Sequence, residues 1–325
     1  MLLHKQNSSS SFDLALFTRK YGITLILMFM IVLLLIISPT FRTWQNMINV
    51  LNQISINGII AVGMTFVIIT GGIDLSIGSM IAVSSVVIGA VLTANSDNIL
   101  LAVIIAILAC GLIGLFNGFF IAKFDMFPFV VTLSSMLIAR GFAYVISDGK
   151  SYVLKSDVFK QIGQGKLFNI IPYSVIILVA IILIGYVLLS RMKFGQYIYA
   201  VGGNIHTAIA SGVNVFRIKL LTYMMIGIFS GVAGVILTSR VNAGQPAIGA
   251  GYEMDAIAAA VIGGASLSGG MGSIFGTTVG ILMIGVINNG MNLLGVSSFY
   301  QQIVKGFIIL GAMLLDITIN KRKNN

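Results

Sequence analysis

The chain has 325 residues, 58% of them hydrophobic and only 9% charged, and its 19 basic and 9 acidic side chains give a net charge of +10. Soluble proteins carry about 25% charged residues, so this chain lacks the ions to cover a globular surface. That excludes a soluble enzyme, a nucleic-acid reader and a disordered scaffold, and leaves an integral membrane protein whose partner is the lipid bilayer.

Residues 1–21 are polar and basic, with His4, Lys5 and a serine run, and read as a cytoplasmic tail. The apolar stretch that follows ends at Ser38-Pro39-Thr40-Phe41, which has no small-residue cleavage site, so it reads as a retained first helix and not a signal peptide. Crossing roughly 30 Å of hydrocarbon takes about 20 apolar residues. Candidate runs lie at 22–38, 50–70, 76–94, 99–122, 128–147, 172–190, 217–240, 255–268, 273–291 and 299–317. The period-2 alternation of a barrel is absent, so these predict an all-α, polytopic transmembrane helix bundle of about ten spans. The run at 255–268 is short and dissolves into glycines. The membrane domain occupies 22–317, and a basic tail, 318–325, closes the chain.

With the N-terminus inside, eleven Lys and Arg fall on the cytoplasmic side and six outside, four of the six (Lys150, Lys155, Lys160 and Lys166) in one loop. An even span count returns the C-terminus to the cytoplasm as well. Two loops are too long to be turns. The outside loop, 148–171, suits docking or a lid. The inside loop, 190–217, holds Gly202-Gly203-Asn204 and then His206-Thr207-Ala208-Ile209-Ala210-Ser211-Gly212, which reads as a brief helix with a glycine stop.

Catalytic apparatus is sparse. Gly149-Lys150-Ser151 resembles the end of a phosphate loop, but that pattern needs glycine at 144, where Tyr144 stands. The two histidines, His4 and His206, have no carboxylate or cysteine at ligand spacing, so no metal site and no cofactor is expected. The single cysteine, Cys110, reads as a small packing residue.

Polar and glycine residues inside apolar runs carry more information. Gly71-Gly72-Ile73-Asp74-Leu75-Ser76-Ile77-Gly78 shares the skeleton G-G-x-x-L-S-x-G with Gly263-Gly264-Ala265-Ser266-Leu267-Ser268-Gly269-Gly270, 192 positions later (263 minus 71). Glycine-interrupted segments in two halves point to an internal repeat around a transport pathway, although the surrounding spans do not align helix for helix. Asp74 is either a cap for the following helix or a pathway residue. Glu253 and Asp255 precede the eighth span on the outer side, as helix caps or as a docking site. Arg140 and Lys305 are expected to snorkel to the headgroups. Two amide groups, Asn52 with Asn57 and Asn288 with Asn289 and Asn292, suit either helix–helix bonding or a sugar hydroxyl.

Several strings are familiar. Ile60-Ala61-Val62-Gly63-Met64-Thr65 with Gly71-Gly72-Ile73-Asp74-Leu75-Ser76, and Ile198-Tyr199-Ala200-Val201-Gly202-Gly203-Asn204 with Ser211-Gly212-Val213-Asn214-Val215, resemble permease subunits of bacterial ABC monosaccharide importers of the ribose type. Gly251-Tyr252-Glu253-Met254-Asp255 and Asn288-Asn289-Gly290-Met291-Asn292-Leu293-Leu294-Gly295 are similar to that family's longest signatures. The resemblance, from about residue 38 to 316, implies a multi-pass subunit of the bacterial cytoplasmic membrane. It would dimerise, as a homodimer, around a central pathway, receive a sugar from an extracytoplasmic binding protein, and be driven by a cytoplasmic ABC ATPase. The loop carrying Gly202, Gly203, Asn204, His206, Gly212 and Arg217 would then be the ATPase coupling element. Relatives carry a glutamate after the asparagine, then alanines and often an arginine; here Ile205, His206 and Ile209 stand there, so that acidic anchor is missing. Three alternatives stand beside this reading: the same importer type carrying another sugar-like ligand such as a furanosyl autoinducer, an ion-coupled secondary transporter relying on Asp74, and a membrane enzyme using Glu253 with Asp255.

Overall fold

The computed structural model describes residues 14–324. His4 and Lys5 of the expected tail lie outside the described residues. The chain begins with α1 (Leu14–Ile37), α2 (Trp44–Ile69), α3 (Ile77–Ala94), α4 (Ile99–Lys123) and α5 (Pro128–Ser147). A short α6 (Asp157–Gln164) precedes α7 (Tyr173–Ser190), and α8 (Lys193–Gly203) and α9 (Ile205–Ala210) precede α10 (Val215–Val241). The chain closes with α11 (Tyr252–Ile262), α12 (Ile274–Leu293) and α13 (Ser298–Asn324). Each of the ten apolar runs contains a helix, and seven helices among the described residues are long and apolar enough to cross a membrane. The protein is a polytopic helical membrane protein.

Boundaries follow local chemistry. Pro39 cannot continue α1, and the Thr43 hydroxyl accepts from the Asn46 N–H (3.2 Å) to start α2. Pro128 opens α5 at a position where its missing N–H costs nothing. No proline interrupts 14–24 or 314–324, so α1 begins earlier than the expected tail boundary and α13 runs on to Asn324.

The axis of the bundle is α2, in which every residue from 54 to 69 is buried. It is mostly apolar and buried all round, with only Ser55, Asn57 and Thr65 as polar residues in that stretch, as suits a helix surrounded by others. α7, α10, α11 and α12 pack around it. α4 and α10 approach closely because their contact is lined by small residues: Gly114 and Gly118 on one side, Gly227 and Gly231 on the other, all against backbone. Cys110 packs in that seam, fully buried, its thiol donating to the Met80 carbonyl (3.1 Å). The outward faces of α4, α5 and α7 carry Leu108, Leu112, Leu137, Phe142, Leu183 and Val187, all exposed, as a lipid-facing belt requires.

Two-residue strands β1 (Tyr152–Val153), β2 (Lys166–Leu167), β3 (Ile171–Pro172) and β4 (Ala243–Gly244) form two antiparallel pairs, β1 with β4 and β2 with β3. The 148–171 loop is thereby folded onto the bundle. Phe159 of α6 is buried against Ala102, Ala106 and Val235, and Ser239 of α10 donates to the Phe159 carbonyl (2.6 Å) while accepting from the Gly163 N–H (2.8 Å).

Candidate functional site

The two glycine interruptions end their helices with the same bonds. After α2, the Gly71 N–H reaches the Ile68 carbonyl (2.9 Å) and the Gly72 N–H the Val67 carbonyl (3.0 Å). After α11, Gly264 bonds to Val261 (2.9 Å) and Ala265 to Ala260 (3.0 Å). Gly71 (φ +79°) and Gly264 (φ +90°) supply the left-handed residue this helix stop demands. The next turn also recurs: Asp74 accepts from the Ser76 N–H (2.8 Å), and the Ser266 hydroxyl accepts from the Ser268 N–H (3.3 Å). The second copy meets the helix end just before the first, because the Gly270 N–H donates to the carbonyl of Ile69, the last residue of α2 (2.8 Å).

α8 closes on this junction. Gly202 fits between the Ile69 carbonyl and the Gly270 amide, where any Cβ would collide with the backbone. One turn earlier, the Tyr199 hydroxyl donates to the Gly272 carbonyl (2.7 Å). The sequence reading treats Gly202-Gly203 as a lead-in, whereas the structure makes it the last turn of a helix. The brief helix expected from 206 is α9, stopped at Gly212 by the same pair of bonds, Gly212 to Ile209 and Val213 to Ala208. Asn204 caps α9 through the Thr207 N–H (3.0 Å). Gly203, Asn204, His206, Gly212 and Arg217 are exposed, and Ala208 alone of α9 is buried.

Asp74 is fully buried and satisfied by neighbours. Its Oδ1 accepts from the N–H and hydroxyl of Ser76 (2.8 and 2.6 Å), and its Oδ2 accepts from Asn117 Nδ2 of α4 (3.3 Å). Asn117 in turn takes the hydroxyl of Ser135 from α5. The neighbouring Ile73 carbonyl accepts from Tyr223 of α10 (3.4 Å). A cleft of about 230 Å³ opens beside Gly71, Gly72, Tyr223 and Lys219, whose ammonium lies 3.7 Å from Asp125.

Between α10 and α11 the chain does not stay at the outer rim. Gly244 lies beside Ser85 and Gly89 of α3, and Gly249 beside Gly78 and Ile81. From the level of Ser85 and Gly89 to that of Gly78 and Ile81 the loop therefore descends along α3 by about 11 Å, at roughly 1.5 Å per helical residue. This corrects the expected outer position of Glu253 and Asp255. Glu253 packs beside Gly78 and accepts from the Gly251 N–H (3.1 Å). Asp255 is buried, paired with Lys305 of α13 (2.8 Å) and bonded to Asn57 Nδ2 of α2 (3.1 Å). Neither in-span cation reaches for headgroups as expected. Lys305 has this carboxylate, and Arg140 donates to the Pro246 and Ile248 carbonyls (2.7 Å each), holding the re-entrant loop.

The amides divide. Asn289 and Asn46 bond reciprocally (3.0 and 2.9 Å), which is helix–helix bonding, and Asn292 accepts from Gln301 (2.7 Å). Asn52 accepts from Ser174 (2.9 Å). Asn57 and Asn288 each keep a buried carbonyl oxygen with no hydrogen-bond partner. Sequence reasoning missed Asn117, Ser135 and Tyr199. Asn117, the one amide in an otherwise apolar run, carried a readable signal; Tyr199 carried none.

A helical bundle with a re-entrant loop, broken helices meeting at one end and buried amide carbonyls without partners fits the architecture of a membrane permease. The chain belongs to the family described as branched-chain amino acid transport system / permease component, which matches residues 46–313. It is 45% identical over 300 residues to the ribose import permease protein of Bacillus subtilis, covering 92% of each chain. It is 42% identical over 294 residues to the ribose import permease protein of Escherichia coli K12 (89% of this chain, 91% of that one). To the D-allose transport system permease protein of that strain it is 39% identical over 311 residues, 95% of each. No solved structure matches the chain.

Proposed function

We propose that this chain is the membrane-spanning subunit of an ABC importer that moves a monosaccharide, ribose first, by alternating access driven by a separate ATPase. The observation that carries this reading is the seat of Gly202 between Ile69 and Gly270. A push on the exposed α9 and α8 passes through that contact into the ends of α2 and α11 and the start of α12, so motion outside the spans becomes motion of the spans. The relatives' names supply the sugar. The sequence of the chain has no phosphate-loop pattern, so in this reading the nucleotide site is supplied by the separate ATPase.

In this reading Gly203, Asn204, His206, Gly212 and Arg217 face the ATPase, and Gly202 faces the spans. A binding protein delivers sugar outside, and a second copy of the chain completes the pathway. Asn57 and Asn288, with unpaired carbonyls, are the amides best suited to meet sugar hydroxyls. Asp74, whose two oxygens are taken by three donors, fixes the turn that leads into α3, which argues against an ion-coupled carrier. Similarity to a D-allose permease keeps a second reading, the same importer with another sugar.

The test is ATP-dependent uptake of labelled ribose into membrane vesicles, with and without a co-expressed ATPase and binding protein. Uptake that needs both supports the proposal. Uptake indifferent to the ATPase overturns the mechanism, and uptake of another sugar in place of ribose changes only the substrate.

A further inference from the structure

The loop between α10 and α11 places irregular backbone where lipid does not tolerate it. Residues 245–251 form turns, not helix. Their deepest point, Gly249, touches Gly78, which lies sixteen residues from the outer end of α3 at Ala94. That is about 24 Å along the helix, against a hydrocarbon core of about 30 Å. Non-helical backbone persists at such depth only when it is buried in protein or lines water. One side is buried: Gly244, Pro246 and Gly249 lie against the bundle, and Arg140 holds the Pro246 and Ile248 carbonyls. The other side is open, for Ala247, Ala250, Gly251 and Met254 are exposed, Met254 by 45%.

Polar groups gather behind this open side. Glu253 is half-buried on the same turn, and Asp255 with Lys305 forms an ion pair within the spans. Asn57, bonded to Asp255, keeps its buried carbonyl oxygen unpartnered. Ionisable residues at membrane depth belong beside a water-filled route, not lipid.

We propose that residues 247–254 form a wall of the water-filled passage, presenting the turn backbone at its exposed positions to a polyhydroxylated solute. The identity of the solute rests on the importer reading; the water-filled wall does not.

The test is thiol accessibility. The native Cys110 is fully buried, so it escapes the reagent in the folded protein and adds one constant thiol to every count, which the unmodified chain measures. A247C, A250C and M254C are compared with L108C and L183C, on the lipid-facing sides of α4 and α7 at 60% and 58% exposure. Membranes are treated with a charged, membrane-impermeant methanethiosulfonate, and the remaining thiol is counted after denaturation in SDS, so that poorly expressed variants are still scored as a fraction. The expected result is labelling at 247, 250 and 254 at least about tenfold faster than at 108 and 183. Equal rates at the two sets overturn the proposal. In vesicles that import ribose, ribose with the binding protein is expected to slow labelling at 254 severalfold. Active import with an unchanged rate at 254 overturns the solute contact.

Discussion

Gly202 of α8 rests against the carbonyl of Ile69, the last residue of α2, at a distance that admits no side chain. Two elements far apart in sequence are thus in backbone contact, and Gly270 of the second interruption bonds to the same carbonyl (2.8 Å). Motion of α8 therefore cannot be absorbed by a flexible side chain. Replacing Gly202 with alanine inserts a methyl between two backbones and should destabilise the fold by about 1–3 kcal/mol, the usual cost of overpacking. ATP hydrolysis by an assembled complex should continue while sugar moved per ATP falls. Both are read in the same proteoliposomes; an unchanged ratio with an unchanged melting temperature would show that the contact transmits nothing. Tyr199→Phe, which removes only the bond to Gly272 (2.7 Å), should cost about 1 kcal/mol and lower the same ratio more mildly.

Lys305 and Asp255 pair at 2.8 Å between α13 and α11, both largely buried. Removing one partner leaves a charge stranded in a poorly solvated site, so Lys305→Met should destabilise by about 3–5 kcal/mol. The double variant Lys305→Met with Asp255→Leu should recover most of that, since an apolar pair has no charge to strand. Thermal unfolding in detergent measures both. A double variant no more stable than the single one would mean the pair is not the source of the loss.

The spans were legible because their signal is local: long apolar runs bounded by Pro39, Pro128 and paired glycines need no knowledge of neighbours. The helix stops at Gly71, Gly264 and Gly212 were legible for the same reason. What was not legible depends on contact across the bundle. The segment from Asn242 to Gly251 has the composition of a surface loop, and only the close fit of Gly244 to Gly89 and of Gly249 to Gly78 reveals its descent. Arg140 and Lys305 look like snorkelling residues until their partners, 106 and 50 positions away, are in place. Gly202 reads as a linker because a glycine chosen for close approach and one chosen for flexibility look alike in sequence.

Asp74 accepts three hydrogen bonds and meets no cation among the described residues within ion-pair distance. Asp74→Asn keeps the volume, and its one carbonyl can keep the Ser76 bonds, but its NH2 group then faces the donor from Asn117. It should cost about 1–3 kcal/mol, the penalty of buried donors left unsatisfied. Each correctly folded molecule should still import sugar, and collapsing the proton gradient should leave the initial rate unchanged at fixed ATP. A stable Asp74→Asn protein without uptake would instead place this carboxylate in the transport step.

Asn289 and Asn288 are neighbours on α12 with opposite circumstances. Asn289 exchanges two bonds with Asn46. Such bonds within membranes average about 0.6 kcal/mol, so Asn289→Ala should destabilise by roughly 1 kcal/mol, and Asn46→Ala added to it should cost little more. The carbonyl of Asn288 has no partner, so Asn288→Leu releases a buried polar group and should leave stability unchanged or slightly improved. If that carbonyl meets sugar hydroxyls, uptake at low ribose concentration should drop in Asn288→Leu although the protein melts no earlier. Normal uptake by a stable Asn288→Leu protein would remove Asn288 from the pathway, and a large fall in melting temperature would show that the amide holds helices together.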